Sequence, residues 1–311
     1  MAAEHRSGFV ALIGRPNAGK STLLNRLTGE KLAIVSPKPQ TTRGRVMGVV
    51  TTPDAQVAFV DTPGLHKAKG PLNRHMVDVA QEAMRDVDLI AFLLEPPAGK
   101  VQVDPGNEFV LERLQAAGKP VVLAINKIDA VAKPRLLPLI DLYRQRLPFL
   151  DIVPVSAKTG EGVDAFMRVV TGHLPIGERL FDPEMLTDQS ERALVAEFVR
   201  EQVLRHARQE IPYCTAVLVD VFDETEREPR PGPRRGPLAG LVRIAATVYV
   251  ARDSQKAILI GKGGQMLKRI GTDARKEIER LLGTHVYLSL RIKVEPDWSD
   301  RADGLRKLGY G

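Results

Sequence analysis

The sequence contains very little cysteine and few aromatic residues: one of its 311 residues is cysteine, one is tryptophan, and aromatic residues make up 5%. A single cysteine, Cys214, excludes an internal disulfide and a metal site built from several cysteines, so we expect a reducing compartment. No apolar run approaches the ~18 residues of a membrane-spanning helix, and the first residues, MAAEHRSG, lack the apolar centre of a secretion signal. These absences predict a cytoplasmic protein.

What the chain does contain is an ordinary globular composition with a basic excess. Hydrophobic residues make up 43% and charged residues 27%, and 45 Lys and Arg stand against 38 Asp and Glu. The excess is concentrated at the C-terminal end, where residues 241–311 hold 14 basic and 8 acidic side chains. This segment predicts a polyanionic partner, although a solvated charged face is the simpler alternative.

The first half of the chain alternates short apolar runs with amphipathic stretches, as in an α/β fold with a mainly parallel sheet and helices on both faces. The predicted strands are residues 9–13, 57–60, 88–94, 121–125 and 152–155, and the predicted helices are residues 21–27, 73–85 and 108–117. Lys31–Arg45 is polar, contains two prolines and shows no period, so we interpret it as a long surface loop.

This alternation ends near Pro175, which predicts a first domain over residues 1–175, an interdomain linker over 176–187 and a second domain over 188–311. In the second domain we expect a helix from Asp188 with Glu191 in a capping box, and the element order α-β-β-α-α-β. The Pro- and Gly-rich stretch 223–240 between the two first strands is predicted to be a loop.

A glycine-rich motif of the form G-x-x-x-x-G-K-S lies between the first predicted strand and the first predicted helix, which is the context that a phosphate-binding loop requires. Glycines allow the backbone to fold around phosphates, and the helix N-terminus directs N–H groups at the anion. Lys20 is expected to reach the β- and γ-phosphates and Ser21 to bind Mg²⁺. The motif consists of Gly14, Arg15, Pro16, Asn17, Ala18, Gly19, Lys20 and Ser21.

Three further motifs each follow a predicted strand, where open α/β sheets bind ligands. In the first, Asp61 is expected to hold Mg²⁺ and Gly64 to offer its N–H to the γ-phosphate. In the second, Asp129 can accept from the two edge donors of guanine that adenine lacks, Lys127 can lie over the base, and Asn126 can tie the two loops together. The third can donate an N–H to guanine O6. The motifs are Asp61, Thr62, Pro63, Gly64 and Leu65, then Asn126, Lys127, Ile128 and Asp129, then Ser156, Ala157 and Lys158.

Leu65 stands where many GTPases carry a water-orienting glutamine, so we expect slow intrinsic GTP hydrolysis. The expected catalytic groups are Lys20, Gly64, a threonine of the 31–45 loop and Asn17. We choose Thr42 as the threonine that senses Mg²⁺, with Thr41 as the close alternative. Asn17 could place its side-chain oxygen near a K⁺ ion that bridges the phosphates, or it could only shape the loop.

A second glycine loop, in the basic C-terminal part, separates two helical patterns. A G-x-x-G loop between helices allows close approach of a nucleic-acid backbone, and with this element order it matches the type II KH module, which clamps single-stranded RNA. A plain helix–helix turn is the alternative. The candidate RNA-binding residues are Ile260, Gly261, Lys262, Gly263, Gly264, Lys268 and Arg269, whereas we interpret Arg275, Lys276 and Arg280 as a solvated helix face.

Taken together, GRPNAGKS, PQTTR at residues 39–43, DTPGLH, NKID, SAK and IGKGG resemble the Era family of bacterial ribosome-assembly GTPases over residues 8–310. The resemblance implies a P-loop GTPase domain followed by a type II KH domain. It further implies GTP, GDP and Mg²⁺ as ligands, the 3′ end of 16S rRNA and the 30S subunit or its precursor as partners rather than DNA, and loose peripheral membrane contact.

The implied function is a GTP-driven switch in 16S rRNA processing and small-subunit biogenesis. One alternative is an RNA-binding assembly factor that uses GTP mainly as a structural ligand. Another is a tRNA-modifying or transport GTPase that shares the first half alone, and the KH-like second half argues against it. The sequence leaves open the oligomeric state, the activator and the role of residues 223–240.

Overall fold

In the computed structural model, the chain divides into two compact units. The structure describes residues 4–38, 40–207, 211–227 and 240–310. The first unit runs to Asp188 and the second begins at Gln189, while the short segment Gly70–Leu72 groups with the second unit.

The first unit is built on a sheet that has six strands within the described residues. The strands are β1 (Arg6–Gly14), β2 (Val46–Thr51), β3 (Ala55–Asp61), β4 (Leu89–Leu94), β5 (Val121–Ile125) and β6 (Asp151–Pro154). They lie in the order β2-β3-β1-β4-β5-β6, and all neighbours are parallel except the pair β2–β3. The prediction of a mainly parallel α/β sheet is therefore confirmed.

Helices cover both faces of this sheet, because each face carries its own apolar layer. They are α1 (Lys20–Thr28), α2 (Pro71–Arg85), α3 (Pro105–Ala117), α4 (Leu136–Arg144) and α5 (Val163–His173). Leu24 of α1 and Phe166 of α5 are buried in one layer. Met84, Val110 and Leu139, from α2, α3 and α4, are buried in the other. Strands β1, β4 and β5 contribute alternate residues to the two layers.

The segment predicted as an interdomain linker, residues 176–187, is bonded to the first sheet. Thr187 donates its hydroxyl to Met47 O at 2.6 Å, and Leu186 O accepts from Val49 N at 2.8 Å. The buried side chain of Gln56 on β3 accepts from the N–H groups of Leu180 and Phe181. The first unit therefore extends past the predicted boundary at residue 175, because hydrogen bonds and the packing of Phe181 and Met185 on a small apolar cluster hold this segment.

Within its described residues, the second unit consists of a three-stranded sheet and helices in the predicted order, followed by a short last helix. The elements are α6 (Glu191–His206), β7 (Thr215–Glu226), β8 (Leu241–Val250), α7 (Asp253–Ile260), α8 (Gln265–Leu282), β9 (His285–Val294) and α9 (Ala302–Lys307). Strand β8 is central, antiparallel to β7 and parallel to β9. None of the helices formed by the described residues is long and apolar enough to cross a membrane.

Two boundaries in the second unit differ from the sequence prediction. Helix α6 starts at Glu191 and is capped by Ser190, whose hydroxyl accepts from Ala193 N, so the expected capping box from Asp188 to Glu191 does not form. Strand β7 continues to Glu226, into the predicted 223–240 loop, because it stays paired with β8 as far as Leu241. The remainder of that predicted loop, residues 228–239, lies outside the described residues.

Candidate functional site

The loop from Gly14 to Gly19 connects β1 to α1 and is packed so tightly that side chains at its glycines would clash. A Cβ atom at Gly14 would lie 2.5 Å from Leu93 O, and one at Gly64 would lie 2.4 Å from Pro16 N. At Gly19, with φ of 93°, it would lie 2.2 Å from Asn126 Nδ2. Glycines of two separate motifs are therefore required where these loops meet.

Lys20 lies beneath this loop and is almost fully buried. Its ammonium group donates to Arg15 O at 3.1 Å and to Gly14 O at 3.4 Å. Burial lowers the pKa of Lys20, and the nearby carboxylate of Asp61 opposes that shift. A buried ammonium that is bonded to neutral carbonyl groups favours a further anion, because its own charge is only partly compensated.

The side chains of Ser21, Thr42 and Asp61 meet at one point beside Lys20. The hydroxyls of Ser21 and Thr42 lie 2.9 Å apart, and they donate to Asp61 Oδ2 at 2.6 and 3.0 Å. The alternative threonine, Thr41, instead donates to Lys38 O. The structure thus places Thr42 rather than Thr41 with the other two predicted Mg²⁺ ligands. Pro39, the first residue of the PQTTR string, lies outside the described residues.

This cluster has the donor set that Mg²⁺ prefers, which is hydroxyl and carboxylate oxygen. Asp61 is buried, and its Oδ1 atom has no hydrogen-bond partner among the described residues. Burial raises the pKa of Asp61, while the charge of Lys20 and the hydrogen bonds from Ser21 and Thr42 act in the opposite direction. A desolvated carboxylate with one unsatisfied oxygen fits a nearby divalent cation, directly or through a water molecule.

The NKID and SAK motifs lie side by side at the ends of β5 and β6. Asn126 donates to Ala18 O at 2.8 Å and accepts from Ala157 N at 2.9 Å, so it joins both motifs to the phosphate loop. Ser156 donates its hydroxyl to Asp129 Oδ1 at 2.7 Å. Lys127 has a φ of 62°, an uncommon backbone conformation for a residue other than glycine.

A cavity of about 330 Å³ runs beside these groups and has the size of a small-ligand site. Pro16, Asn17, Lys20, Ser21, Thr42, Gly64 and Lys127 line it, as the sequence motifs predict. Its other wall is made by residues that sequence reasoning did not single out, Ile34, Val35, Ser36, Pro37 and Gln40. Asn17 reaches this wall, where its Nδ2 donates to Pro37 O at 2.9 Å.

Leu65 is fully buried in the apolar layer between the sheet and α2, α3 and α4. Its N–H donates to Gly14 O at 3.0 Å, and this hydrogen bond attaches the segment that follows β3 to the phosphate loop. The side chain therefore can neither polarise nor orient a water molecule. The adjacent His66 bonds through Nδ1 to Gly64 O at 2.8 Å.

The second glycine loop joins α7 to α8 through three residues with positive φ. Gly261, Gly263 and Gly264 have φ values of 71°, 59° and 76°. A Cβ atom at Gly261 would lie 2.7 Å from the Cβ of Met266, whereas nothing lies within 4 Å of such an atom at Gly263 or Gly264. Lys262 is exposed at the tip of the loop. The outer side of the loop is thus open to a ligand backbone.

Behind this loop, a groove of about 460 Å³ lies between α8 and β9. Gly264 and Lys268 of the predicted set line it, whereas Ile260, Lys262, Gly263 and Arg269 do not. Sequence reasoning missed most of its wall: Leu267, Gly271, Thr272, Val286, Tyr287, Leu288 and Leu290. These residues carry no motif, and β9 would have been recognised as a wall only from its parallel pairing with β8.

Three basic side chains on α8 that we interpreted as a solvated face have acidic neighbours. Arg280 pairs with Glu277 at 3.0 Å and Lys276 with Asp273 at 3.6 Å. Arg275 lies 3.9 Å from Glu279 but also lines the groove. The simple interpretation fits Lys276 and Arg280, whereas Arg275 stands close enough to contribute charge to a bound ligand.

Comparisons with known proteins match both units. Residues 9–127 match the family model described as a 50S ribosome-binding GTPase, and residues 234–299 match that of a KH domain. GTPase Era from Geobacter metallireducens is 50% identical over 307 residues, which cover 98% of each chain. GTPase Era from Lacticaseibacillus paracasei is 44% identical, over 99% of this chain and 98% of that protein.

The chain belongs to the GTPase Era family. It is therefore a GTPase, with an N-terminal GTPase domain and a C-terminal KH domain. A crystal structure of Era in complex with MgGDPNP and nucleotides 1506–1542 of 16S ribosomal RNA is similar, with a TM-score of 0.89 and 39% identity over 99% of both chains. A variant of Aquifex aeolicus Era bound to GDP and AlF4⁻ also has a TM-score of 0.89, with 39% identity over 98% of this chain and 99% of that one.

Proposed function

We propose that the chain is a GTP-driven switch that binds 16S rRNA through its KH domain and acts in rRNA processing and small-subunit biogenesis. The observation that carries the switch is the meeting of Ser21, Thr42 and Asp61 at one point. Thr42 comes from the 31–45 loop, whereas Ser21 and Asp61 come from the phosphate loop and β3. A bound metal and γ-phosphate would therefore fix a loop that GDP leaves less constrained.

In the proposed nucleotide site, the N–H groups of residues 14–21 and the ammonium group of Lys20 bind the phosphates. The hydroxyls of Ser21 and Thr42 would hold Mg²⁺, and Asp61 would accept hydrogen bonds from water molecules bound to the ion. The ion would supply positive charge to the β- and γ-phosphate oxygens. Gly64 would offer its N–H to the γ-phosphate. Asp129, oriented by Ser156, would accept from the guanine edge, and the backbone of Ala157 and Lys158 would meet guanine O6.

Hydrolysis in this site lacks a side chain that orients the attacking water, because Leu65 is buried. The intrinsic rate is expected to be slow. We further propose that Asn17 contributes to a K⁺ site, since its amide already spans from the phosphate loop to Pro37 on the opposite wall. A cation held there would place charge beside the phosphates, where other GTPases use an arginine.

The proposed RNA site combines the glycine loop with the groove between α8 and β9. The open glycines admit the RNA backbone, and Lys262 and Lys268 place positive charge beside it. Bases turned into the groove would lie against Leu267, Leu288 and Leu290. The similar Era structure contains nucleotides of 16S ribosomal RNA, which supports the 3′ end of that RNA as the ligand here.

The 30S subunit or its precursor is the proposed assembly partner, because it carries this RNA. A cytoplasmic location and loose peripheral contact with the membrane stay predictions from the resemblance. The alternative function, an RNA-binding assembly factor with GTP as a structural ligand, shares every contact described above and differs in whether nucleotide state changes RNA affinity.

The deciding experiment measures the affinity for a 16S 3′-end oligonucleotide with GDP and with a non-hydrolysable GTP analogue. The switch predicts different affinities, since a ligand shifts an equilibrium only through its differential binding to two states. Equal affinities would favour the structural-ligand alternative. An oligonucleotide of the same length and scrambled sequence controls for charge alone.

A further inference from the structure

We propose that Glu95 is a positioning residue for guanine recognition, which holds the Lys127 side chain in the conformation that the base requires. The proposal rests on the nucleotide site described above, to which it adds a residue outside the four motifs. The carboxylate of Glu95 accepts from Lys127 Nζ at 2.7 Å.

The sheet explains why these two side chains meet. Leu94 and Ile125 are paired neighbours at the ends of the parallel strands β4 and β5, and Leu94 O accepts from Asn126 N at 2.7 Å. Glu95 and Lys127 are the residues that follow Leu94 and Asn126. Because the two strands end together, an acidic and a basic residue lie just beyond the last hydrogen bond between them. This is the carboxyl end of the sheet, where ligands bind in such folds.

Glu95 has a second basic residue near it, but that residue is bonded to another carboxylate. Arg15 and Glu95 line the same small cavity of about 250 Å³, but the guanidinium of Arg15 is bonded to Asp104 at 2.6 Å. Lys127 is therefore the cation to which Glu95 is bonded. The backbone of Lys127, with φ of 62°, is fixed by the bonds of its neighbours, so Glu95 constrains the part of the residue that remains free to rotate.

The physical gain is preorganisation. A lysine side chain has several rotamers in water, and it loses that freedom when its stem packs against a base. A carboxylate that holds the ammonium group in place reduces this loss on binding. The pair is about one-third to one-half exposed, at 35% for Lys127 and 49% for Glu95, so salt in the solvent can screen it.

The test uses the full-length protein and a mutational cycle. Glu95→Ala should weaken GDP and a non-hydrolysable GTP analogue equally, about three- to tenfold in Kd, because Lys127 acts at the base and not at the γ-phosphate. Lys127→Met keeps most of the apolar stem and removes the ammonium group. In that background Glu95→Ala should cause no further loss, since the pair no longer exists.

Two measurements separate positioning from a general structural role. The loss in Glu95→Ala should appear in KM and Kd and not in kcat, and it should shrink in 1 M KCl, which screens a half-exposed ion pair. Glu108→Ala is the matched control, because Glu108 is a similarly exposed carboxylate paired with Arg146 in the same domain. It should leave nucleotide affinity unchanged.

Equal losses from Glu95→Ala in the wild-type and Lys127→Met backgrounds would overturn the inference, as would no loss in the wild type. If Lys127→Met itself left affinity unchanged, the ammonium group and its pair with Glu95 would contribute nothing to binding, which would overturn the inference and leave the contact between the lysine stem and the base intact. A loss in Lys127→Met without one in Glu95→Ala would remove the inference and leave the nucleotide site intact.

Discussion

Asp129 is held in position for base recognition by Ser156, which donates its hydroxyl to Asp129 Oδ1. The carboxylate can accept from the N1–H and 2-amino groups of guanine, and adenine has no such donor pair. Asp129 is exposed, and a bound base would cover it. A base that leaves the covered acceptor unpaired is rejected by ~10⁴-fold or more when the site is built around those bonds. GTP should therefore bind far more tightly than ATP.

Asp129→Asn should move this preference from guanine towards xanthine, because an amide can donate to the carbonyl that xanthine carries in place of the 2-amino group. The measurement is competition of GDP and xanthosine diphosphate for the wild type and the variant. Comparable binding of ATP and GTP to the wild type would contradict the proposed recognition.

Asn17 is the residue on which the proposed K⁺ dependence turns. Its Nδ2 atom donates to Pro37 O, and the oxygen of the same amide is the proposed ligand of the cation. We expect faster hydrolysis in KCl than in NaCl at equal ionic strength, and loss of that difference in Asn17→Ala. GDP affinity in the two salts serves as the control for loop damage. An equal rate in both salts for the wild type would show that Asn17 only shapes the loop.

Strand β3 carries Asp61 and also binds the segment that contains Leu180 and Phe181. Gln56, in the same strand, is fully buried and bonds through both ends of its amide. Its Oε1 accepts from Leu180 N and Phe181 N, and its Nε2 donates to Phe181 O at 3.0 Å and to Thr51 at 3.0 Å. One side chain thus attaches the segment that leads towards the second unit to the sheet.

Gln56→Leu should destabilise the first unit by about 1–3 kcal/mol, because it leaves the backbone N–H groups of Leu180 and Phe181 without their acceptor at a partly buried place. Urea unfolding measures this, and the transition that GDP shifts upward identifies the first unit. Gln145→Leu, a change at an exposed position, should alter the same transition by less than about 0.5 kcal/mol. Equal shifts for the two variants would contradict the role of Gln56.

The same segment shows where sequence reasoning reached its limit for the fold. Apolar periodicity predicted β1, β3, β4, β5 and β6, because buried parallel strands are continuous apolar runs. It missed β2, which is a short edge strand directly after an aperiodic loop, and it took residues 176–187 for a linker. Docking through backbone bonds, one glutamine and two apolar side chains, Phe181 and Met185, leaves little periodic signal in the sequence.

The candidate sites show a similar division. Residues in contiguous motifs, such as Lys20, Ser21 and Asp129, could be predicted because chemistry and spacing occur together in the sequence. Glu95, Pro37 and Tyr287 could not, because they reach their sites through strand pairing or loop folding. Thr42 and Thr41 could not be separated by spacing, and the bond from Thr42 to Asp61 distinguishes them in the structure.

Over the whole molecule, the two proposed sites are built from separate sets of residues. The nucleotide site uses residues of the first unit, and the glycine loop and groove use residues of the second. Each site can therefore be altered without touching a residue of the other. This separation allows the RNA-binding proposal to be tested while nucleotide binding and hydrolysis serve as an internal control for the first unit.

The double variant Lys262→Asp and Gly263→Asp should abolish the RNA clamp. It removes the positive charge at the loop tip and adds two negative charges where the RNA backbone would pass. Aspartate is among the residues that tolerate positive φ, so the conformation of Gly263 is a modest obstacle to folding. GTP affinity and slow hydrolysis should persist.

The measurement is the salt dependence of binding to a 16S 3′-end oligonucleotide. A clamp on three or four phosphates of a single strand predicts a log–log slope of roughly −2 to −3 for the wild type, and the variant should lose most of both affinity and slope. Lys276→Asp with Arg280→Gln is the matched control, since it makes the same net charge change on α8 at residues that do not line the groove. If that control weakened binding as much as the loop variant did, general electrostatic attraction to the basic C-terminal unit, and not a clamp at Gly261–Gly264, would account for the RNA contact.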